Sequence, residues 1–338
     1  MNKLTKIGAS ALCGSLAAVS AANAGDMTVT GGVDMSWISL PKQNVGNPIG
    51  IGSNLTFSGS GDLDNGWTVA YTVANTNAQA FSNANVVVTI PGMGDLRIDG
   101  GVSGTGIDRM DDMTPNVWEE AYGTGLAGGP NTVAGVSGGA GFEFTPSFTP
   151  DGLTARIAYS PDAGAGSAGD KSFAESSGSV LGAGYDVTLE ASSDFLGMDG
   201  MTLYGGISKI DTHQNSTAYN DDVTERTVGV KYAVGGFTVG YQWSDEENGR
   251  ASTNTSYQND AYGITFSIND DLSIGYNNYK SEQNSTTNTE LEASSVQIAY
   301  SMGGLSVRLA EATIDNQNYT TGAANSRDAT TLSVALAF

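Results

Sequence analysis

The side chains best placed to do chemistry form an acidic group within one long segment and a basic group spread along four shorter ones. The acidic group lies between Gly104 and Ala134 and comprises Asp108, Asp111, Asp112, Glu119 and Glu120. The basic group comprises Arg97, Arg156, Lys231 and Arg308. Carboxylates attract cations and basic groups attract anions, so the chemistry that both groups offer is electrostatic.

Residues suited to covalent catalysis are scarce in this chain. His213 is the only histidine and stands in the polar run Asp211–Asn215, where a side chain without defined partners is usually a surface residue. The single cysteine, Cys13, falls in an N-terminal segment that we expect to be removed. No glycine-rich phosphate loop stands between a strand and a helix. We therefore predict that the chain is not an enzyme.

Acidic runs also raise the possibility of bound metal. Asp221-Asp222, Asp245–Glu247 and Asp270-Asp271 could bind calcium between loops or subunits, because carboxylate oxygens are the ligands that calcium prefers. None of the three runs has the spacing of an EF-hand, and solvated charge is the simpler interpretation. We predict no cofactor, and structural Ca²⁺ remains an open alternative.

The four basic residues lie on stretches of roughly ten residues in which apolar and small polar residues alternate, the pattern of membrane-barrel strands. The pattern recurs about sixteen times and ends in Thr331–Phe338, TLSVALAF. One face of each stretch carries aliphatic and aromatic residues, and the other carries Thr, Ser, Gly, Asn and Ala with occasional charges. All four bases are on the polar face. A charge on a lipid-facing surface is costly, so we expect these bases to point into a wet interior.

The connections between the stretches alternate between short and long. Short links include Asn269–Asp271 and Gly303-Gly304, whereas long ones include Pro161–Gly178 and Ala312–Ser326. An up-and-down membrane barrel sorts its connections in this way, but a sandwich with Greek-key crossings has no reason to do so. We predict an all-β, transmembrane, antiparallel up-and-down β-barrel of about 16 strands.

The N-terminus has the features of a secretory signal. Lys3 and Lys6 precede a short apolar stretch, Ile7–Val19, and Ala22–Ala24 fits the small-residue cleavage pattern. We expect residues 1–24 to be cleaved. A lipoprotein signal with Cys13 as the lipidated residue is the alternative, although Leu12 is a poor residue at the preceding position.

The mature chain, residues 25–338, contains no linker that would divide it, so we predict one barrel domain. Removing Lys3 and Lys6 leaves 12 of the 14 basic residues against 36 acidic residues, a formal charge of −24. Nucleic acid is therefore excluded as a partner, because binding it requires clustered Lys and Arg. Such acidity instead enriches cations near the protein.

From Gly25 to Phe338 the chain resembles the general porins of Gram-negative bacteria, the trimeric sixteen-stranded class, and is most similar to the alphaproteobacterial type. The similarity lies in the signal peptide, the ordered short and long connections, and a terminal Phe338 on an alternating strand. In that family the longest loop follows the fifth strand and folds into the lumen. The longest loop predicted here, Gly104–Ala134, also follows the fifth strand.

The resemblance implies roles for the two charged groups. The loop acids would face the lumen at a constriction, and the four bases would line the opposite wall. The resulting field would order water and admit small polar solutes. The resemblance also implies a homotrimer in the bacterial outer membrane, in contact with lipid and lipopolysaccharide.

We therefore expect a porin that forms a water-filled channel for passive diffusion of ions and small hydrophilic solutes, with a preference for cations. Two alternatives stay open. One is a substrate-selective channel of the same fold, which a row of lumen aromatics would favour. The other is a surface β-protein that acts as an adhesin.

Overall fold

The computed structural model describes residues 27–41, 46–76, 81–101, 104–126, 128–165, 181–212, 219, 221–250, 256–284 and 288–337. The predicted signal peptide with Cys13, the lone His213 and the terminal Phe338 all lie outside these residues.

Sixteen antiparallel strands form one closed barrel, in which each strand pairs with its neighbours along the chain. The all-β prediction and the strand number are confirmed. The strands are β1 (Thr28–Ser39), β2 (Ile49–Asp62), β3 (Thr68–Thr76), β4 (Phe81–Ile90), β5 (Gly94–Asp99), β6 (Gly141–Pro146), β7 (Leu153–Ser160), β8 (Leu181–Ala191), β9 (Met201–Thr212), β10 (Val223–Val234), β11 (Phe237–Glu247), β12 (Ser256–Ser267), β13 (Leu272–Asn284), β14 (Thr289–Met302), β15 (Leu305–Asp315) and β16 (Arg327–Ala337).

The barrel is closed by pairing between its first and last strands. β1 runs antiparallel to β16 in a register that places Val33 opposite Leu336 and Trp37 opposite Leu332. Closure leaves no sheet edge, so the strands satisfy one another's backbone hydrogen bonds without water. The alternating C-terminal segment therefore completes the sheet.

The two faces of the wall have opposite chemistry. On β10 the outward Val228 is 55% exposed, whereas the inward Thr227 next to it is 4% exposed. On β16 the outward Leu332 is 40% exposed and the inward Ser333 is fully buried. This arrangement is the inverse of a water-soluble barrel, because the apolar residues cover the outside.

Several strands extend beyond the stretches that alternation predicted. The pattern placed strand centres at Leu272–Tyr276 and Val296–Met302, but β13 continues to Asn284 and β14 begins at Thr289. In these extensions the outward positions are polar: Lys280 lies within 3.3 Å of Glu292. Polar residues on both faces erase the alternation, although the hydrogen-bond ladder continues.

Helical structure in the described residues is limited to single turns. The longest is the 3₁₀ turn Gly106–Met110, and the others are Ala121–Gly123, Gly135–Gly138, Ser193–Leu196, Gln317–Tyr319 and Ala323–Asn325. Within the described ranges no helix has the length and apolar character needed to cross a membrane.

Gly94, the first residue of β5, offers a test of the wall geometry. Its φ angle is +134°, and a Cβ at this position would clash with the carbonyl oxygen of Thr145 on β6. Replacing Gly94 with Ala should lower the free energy of unfolding by roughly 1–3 kcal/mol, because the added atom meets backbone that cannot move aside. The measurement is the temperature at which the folded, fast-migrating form disappears on gel electrophoresis.

The matched control is Gly59→Ala in β2, where a Cβ would meet nothing within 4 Å. It should leave that temperature nearly unchanged. An equal loss in both variants would contradict the proposed clash.

Candidate functional site

The long connection between β5 and β6, residues 100–140, is called the inner loop here. Its described residues pack against the inward face of the wall: Ile107, Met110 and Ala121 are almost completely buried. The turn Gly106–Met110 lies against β7 to β10, and the turn Ala121–Gly123 lies against β13 to β15. The prediction that this loop folds into the lumen is confirmed.

Carboxylates of the wall hold the first part of the inner loop. Glu143, on β6, accepts a hydrogen bond from the backbone N–H of Gly106 at 2.7 Å and forms an ion pair with Arg109 at 2.5 Å. Its side chain is buried. A buried carboxylate needs hydrogen-bond donors, so the loop donors and the wall carboxylate satisfy each other's hydrogen-bonding groups.

Two further wall carboxylates bind the end of the inner loop. One oxygen of Asp186, on β8, accepts from the backbone N–H of Ile107 at 3.0 Å and from that of Val136 at 3.2 Å. Glu225, on β10, accepts from the N–H groups of Ala134 and Gly135 at 2.9 and 2.7 Å. Asp186 therefore ties together two parts of the loop that are far apart in sequence.

Neutral amides anchor the middle of the loop. Gln297, on β14, accepts a hydrogen bond from the backbone N–H of Trp118 at 3.1 Å and donates one to the carbonyl oxygen of Glu119 at 2.5 Å. Gln242, on β11, donates to the carbonyl oxygen of Met110 at 2.5 Å. These bonds fix the backbone that carries the acidic residues.

Close packing and an apolar cluster support the same segment. A Cβ on Gly263 would collide with the backbone of Pro115, so a glycine in β12 allows the loop to lie directly on the wall. Nearby, Tyr122 meets the ring of Tyr279 edge to face at 5.1 Å. The buried members of this cluster are Ala121, Ala261, Tyr279, Leu291, Ala293 and Ile314.

Four of the five predicted loop acids form two carboxyl pairs, Asp111 with Asp112 and Glu119 with Glu120, and Asp108 lies near the first pair. Burial, with the nearby charges of Asp112 and Asp108, raises the pKa of Asp111 to about 7. Burial and a hydrogen bond with Glu119 raise the pKa of Glu120 to about 8. Like charges this close disfavour one another, so each pair retains a proton at higher pH than an isolated carboxyl would.

Two of the four predicted wall bases are paired locally with acids. Arg97 contacts Asp99 at 2.5 Å and also donates to the carbonyl oxygen of Gly104 at 3.0 Å. Arg308 contacts Asp34 at 3.1 Å. The possible Arg97–Asp99 salt bridge that the sequence indicated is therefore present.

The other two bases are differently placed. Lys231 lies 5.8 Å from the ring centre of Tyr204, and Arg156 shares the inward face of β7 with the buried Ala158. Within the described part of the chain neither base forms an ion pair. All four bases occupy inward positions of their strands, as alternation predicted.

A cavity of about 720 Å³ lies between the loop and the wall, and both Glu119 and Arg308 line it. The guanidinium of Arg308 is 6.0 Å from the ring of Trp118, on the loop. An acidic loop and a basic wall therefore meet at this cavity. Whether the predicted residues form the narrowest point of the lumen stays a prediction.

Sequence reasoning missed Glu143, Asp186 and Glu225, the wall acids that hold the loop. The available signal was a carboxylate on the polar face of an alternating strand, the same signal that singled out the bases. Their partners are backbone N–H groups, which no residue pattern reveals.

The acidic runs considered for calcium have ordinary partners. Asp222 pairs with Lys209 at 2.9 Å, and Asp245 lies 3.9 Å from Arg226. Among the residues that the structure describes, no group of three or more His, Cys, Asp or Glu side chains is arranged to hold a metal ion. Calcium binding remains untested.

The anchoring role of Asp186 predicts a change in loop dynamics. Asp186→Asn should weaken both backbone hydrogen bonds, because a neutral amide oxygen is a weaker acceptor than a carboxylate oxygen. We expect exchange of the Ile107 and Val136 amide hydrogens to accelerate by about tenfold or more in hydrogen–deuterium exchange.

Glu190→Gln is the matched control, since it also removes one carboxylate from β8. Glu190 lies on the same strand face and accepts no hydrogen bond from the described part of the inner loop. Similar acceleration in both variants would show that lost charge alone, without the specific anchor, loosens the loop.

Solved structures with the same architecture are outer-membrane proteins. OmpF of Salmonella typhi, in complex with daunomycin, superposes with a TM-score of 0.69 at 13% identity, over 92% of this chain and 97% of that chain. The anion-selective porin of Comamonas acidovorans gives 0.67 at 13% identity, over 93% and 99%. OmpT of Vibrio cholerae gives 0.65 at 11% identity, over 92% and 97%. At these identities the likeness shows the fold.

No curated protein matches the sequence. The family described as Gram-negative porin, however, matches residues 8–301, which is most of the chain. Together with the closed sixteen-stranded barrel, this match shows that the chain belongs to the Gram-negative porin family and is an outer-membrane channel protein.

Proposed function

We propose that the protein is a homotrimeric general porin through which ions and small hydrophilic solutes diffuse passively, with a preference for cations. The observation that supports the cation preference is that the five loop acids lack ion-pair partners. Among the described residues none of Asp108, Asp111, Asp112, Glu119 and Glu120 forms an ion pair. The charge of those acids that are ionised is therefore available to ions in the lumen, whereas Glu120, with a pKa of about 8, is largely protonated at neutral pH.

Three arginines near the loop are compensated by acids, which leaves two wall bases, Arg156 and Lys231, without an ion pair among the described residues, against five loop acids. Arg97 and Arg308 are paired with Asp99 and Asp34, and Arg109 is paired with Glu143. An ion pair presents a dipole to a passing ion, whereas an unpaired carboxylate presents a full charge. The local balance thus has the same sign as the formal net charge of the whole chain, −22.

The fold alone does not determine the sign of selectivity. The Comamonas porin, which has the same fold, is described as anion-selective. Charged rings and side chains along a pore set ionic preference. The cation preference proposed here therefore depends on the loop acids and not on membership of the family.

We also propose a trimer, contact with outer-membrane lipid and lipopolysaccharide, and no enzymatic activity. OmpT of Vibrio cholerae has been solved in a trimer form, which supports a trimer here. Contact with outer-membrane lipid and lipopolysaccharide follows from the outward apolar face and its polar rim. In the part of the chain that the structure describes, no nucleophile and base are arranged for catalysis, and we propose a channel that is not an enzyme.

Neutralising two loop acids tests the cation preference. Asp112→Asn with Glu119→Gln should lower the potassium-to-chloride permeability ratio by roughly two- to fivefold, because each acid attracts cations across a wet lumen. The measurement is the reversal potential in a planar bilayer under a salt gradient. Unchanged selectivity would contradict the role of these acids.

Arg308→Gln provides a control of opposite sign, since it removes a positive charge beside the same cavity and should raise the ratio. Glu282→Gln provides a neutral control. Glu282 occupies an outward position near the end of β13, so its loss should have little effect.

The raised pKa values predict a pH dependence. A carboxyl with a raised pKa is charged only above that pKa, so acidification from pH about 9 to about 6 should protonate Glu120 and then Asp111. Cation preference should therefore fall over this range. Reversal potentials measured at intervals of pH check the result, and Glu120→Gln should remove the part of the change near pH 8.

A further inference from the structure

A second cavity, of about 420 Å³, lies at the long-loop end of the barrel and is called the mouth pocket here. It is enclosed by the end of the inner loop and the adjoining ends of β8 to β12. None of its lining residues belongs to the cavity beside Arg308. The volume falls within the roughly 300–1,000 Å³ typical of small-molecule sites.

The floor of the mouth pocket is apolar. Ala163, Ile210 and Val223 line the pocket and belong to a buried hydrophobic cluster, against which Leu181 packs. An apolar group placed on this floor would be removed from water, which favours binding.

One side of the pocket is acidic. Glu225 and Glu246 both line it, and they are close enough to interact electrostatically. Glu225 is occupied by the backbone N–H groups of Ala134 and Gly135. Glu246, in contrast, forms no ion pair or side-chain hydrogen bond within the described residues, so its carboxylate can accept a donor from a ligand.

The other side of the pocket is basic and aromatic. The guanidinium of Arg250 lies 5.7 Å from the ring centre of Tyr219, and the two residues also form an isolated β-bridge. Arg250 lines the same pocket as Glu246 but forms no ion pair with it or with another described residue. Tyr257 adds a second aromatic side chain to the lining.

Opposite charges that line one pocket without forming an ion pair, together with apolar lining residues, match the groups of a zwitterion with an apolar substituent. We propose that the mouth pocket binds amino acids with aliphatic or aromatic side chains. Their carboxylate contacts Arg250, their ammonium group contacts Glu246, and their side chain lies on the floor beside Ile210 and Val223.

Other ligand classes fit the pocket less well. An anion would meet the acidic side without compensation, and a simple cation would leave Arg250 and the apolar floor unused. The role inferred for the pocket, to concentrate such solutes at the entrance, rests on the proposed diffusion function. The binding itself does not require it.

The test is calorimetric titration of the detergent-solubilised protein with three related probes. L-Phenylalanine carries both charges, phenylalaninamide carries only the positive one, and N-acetylphenylalanine carries only the negative one. We expect saturable binding that is tightest for phenylalanine. Each missing charge should weaken binding by about tenfold, the usual worth of a charge-assisted contact.

Two variants assign the charges. Glu246→Gln should weaken the binding of phenylalanine and phenylalaninamide by about tenfold. The binding of N-acetylphenylalanine should be unchanged or tighter. Arg250→Gln should weaken the binding of phenylalanine and N-acetylphenylalanine but leave the binding of phenylalaninamide unchanged. A general folding defect cannot produce this crossed pattern, because it would weaken all three probes.

The matched controls are Glu247→Gln and Arg226→Gln, which remove the same charges from outward positions near the pocket. They should bind all three probes like the unaltered protein. No saturable binding, or equal weakening by the control variants, would overturn the proposal.

Salt conductance in a planar bilayer tests the diffusion function separately. A pore that conducts but binds no probe would contradict only the mouth-pocket proposal. A protein that binds the probes but does not conduct would contradict only the proposed channel function.

Discussion

The need to satisfy every backbone polar group within lipid is the constraint on which this structure depends. A sheet can meet it only by closing on itself, and pairing of β1 with β16 provides that closure. Once the sheet is closed, one face of every strand must contact lipid and the other must surround a lumen. The apolar exterior and the polar interior are therefore two results of one hydrogen-bonding requirement.

A wet interior changes what a buried charge can do. In an apolar core Glu143, Asp186 and Glu225 would be costly, but here each accepts at least one hydrogen bond from a backbone N–H of the inner loop. The wall supplies acceptors and the loop supplies N–H groups, so the two components are complementary. The loop acids are left unpaired by this arrangement, because the carboxylates that bind the loop belong to the wall.

The sequence was sufficient to predict the architecture but not the contacts within the lumen. Alternation and the order of short and long links predicted sixteen strands and the loop after the fifth, because lipid imposes a strict period on the outward face. The alternation pattern could not predict that β13 continues to Asn284, since polar residues occupy both faces there. Nor could it pair Asp186 with the amides of Ile107 and Val136, because backbone donors are the same in every residue type.

The anchors of the inner loop have a consequence for the order of assembly. Thr124 is held by Thr331, 207 residues later in the chain, and Gln297 holds Trp118 across 179 residues. These partners are in place only after the last strands have joined the sheet. The middle of the inner loop therefore gains these anchors only when the barrel is complete, whereas its two ends can already bind Glu143, Asp186 and Glu225 on earlier strands.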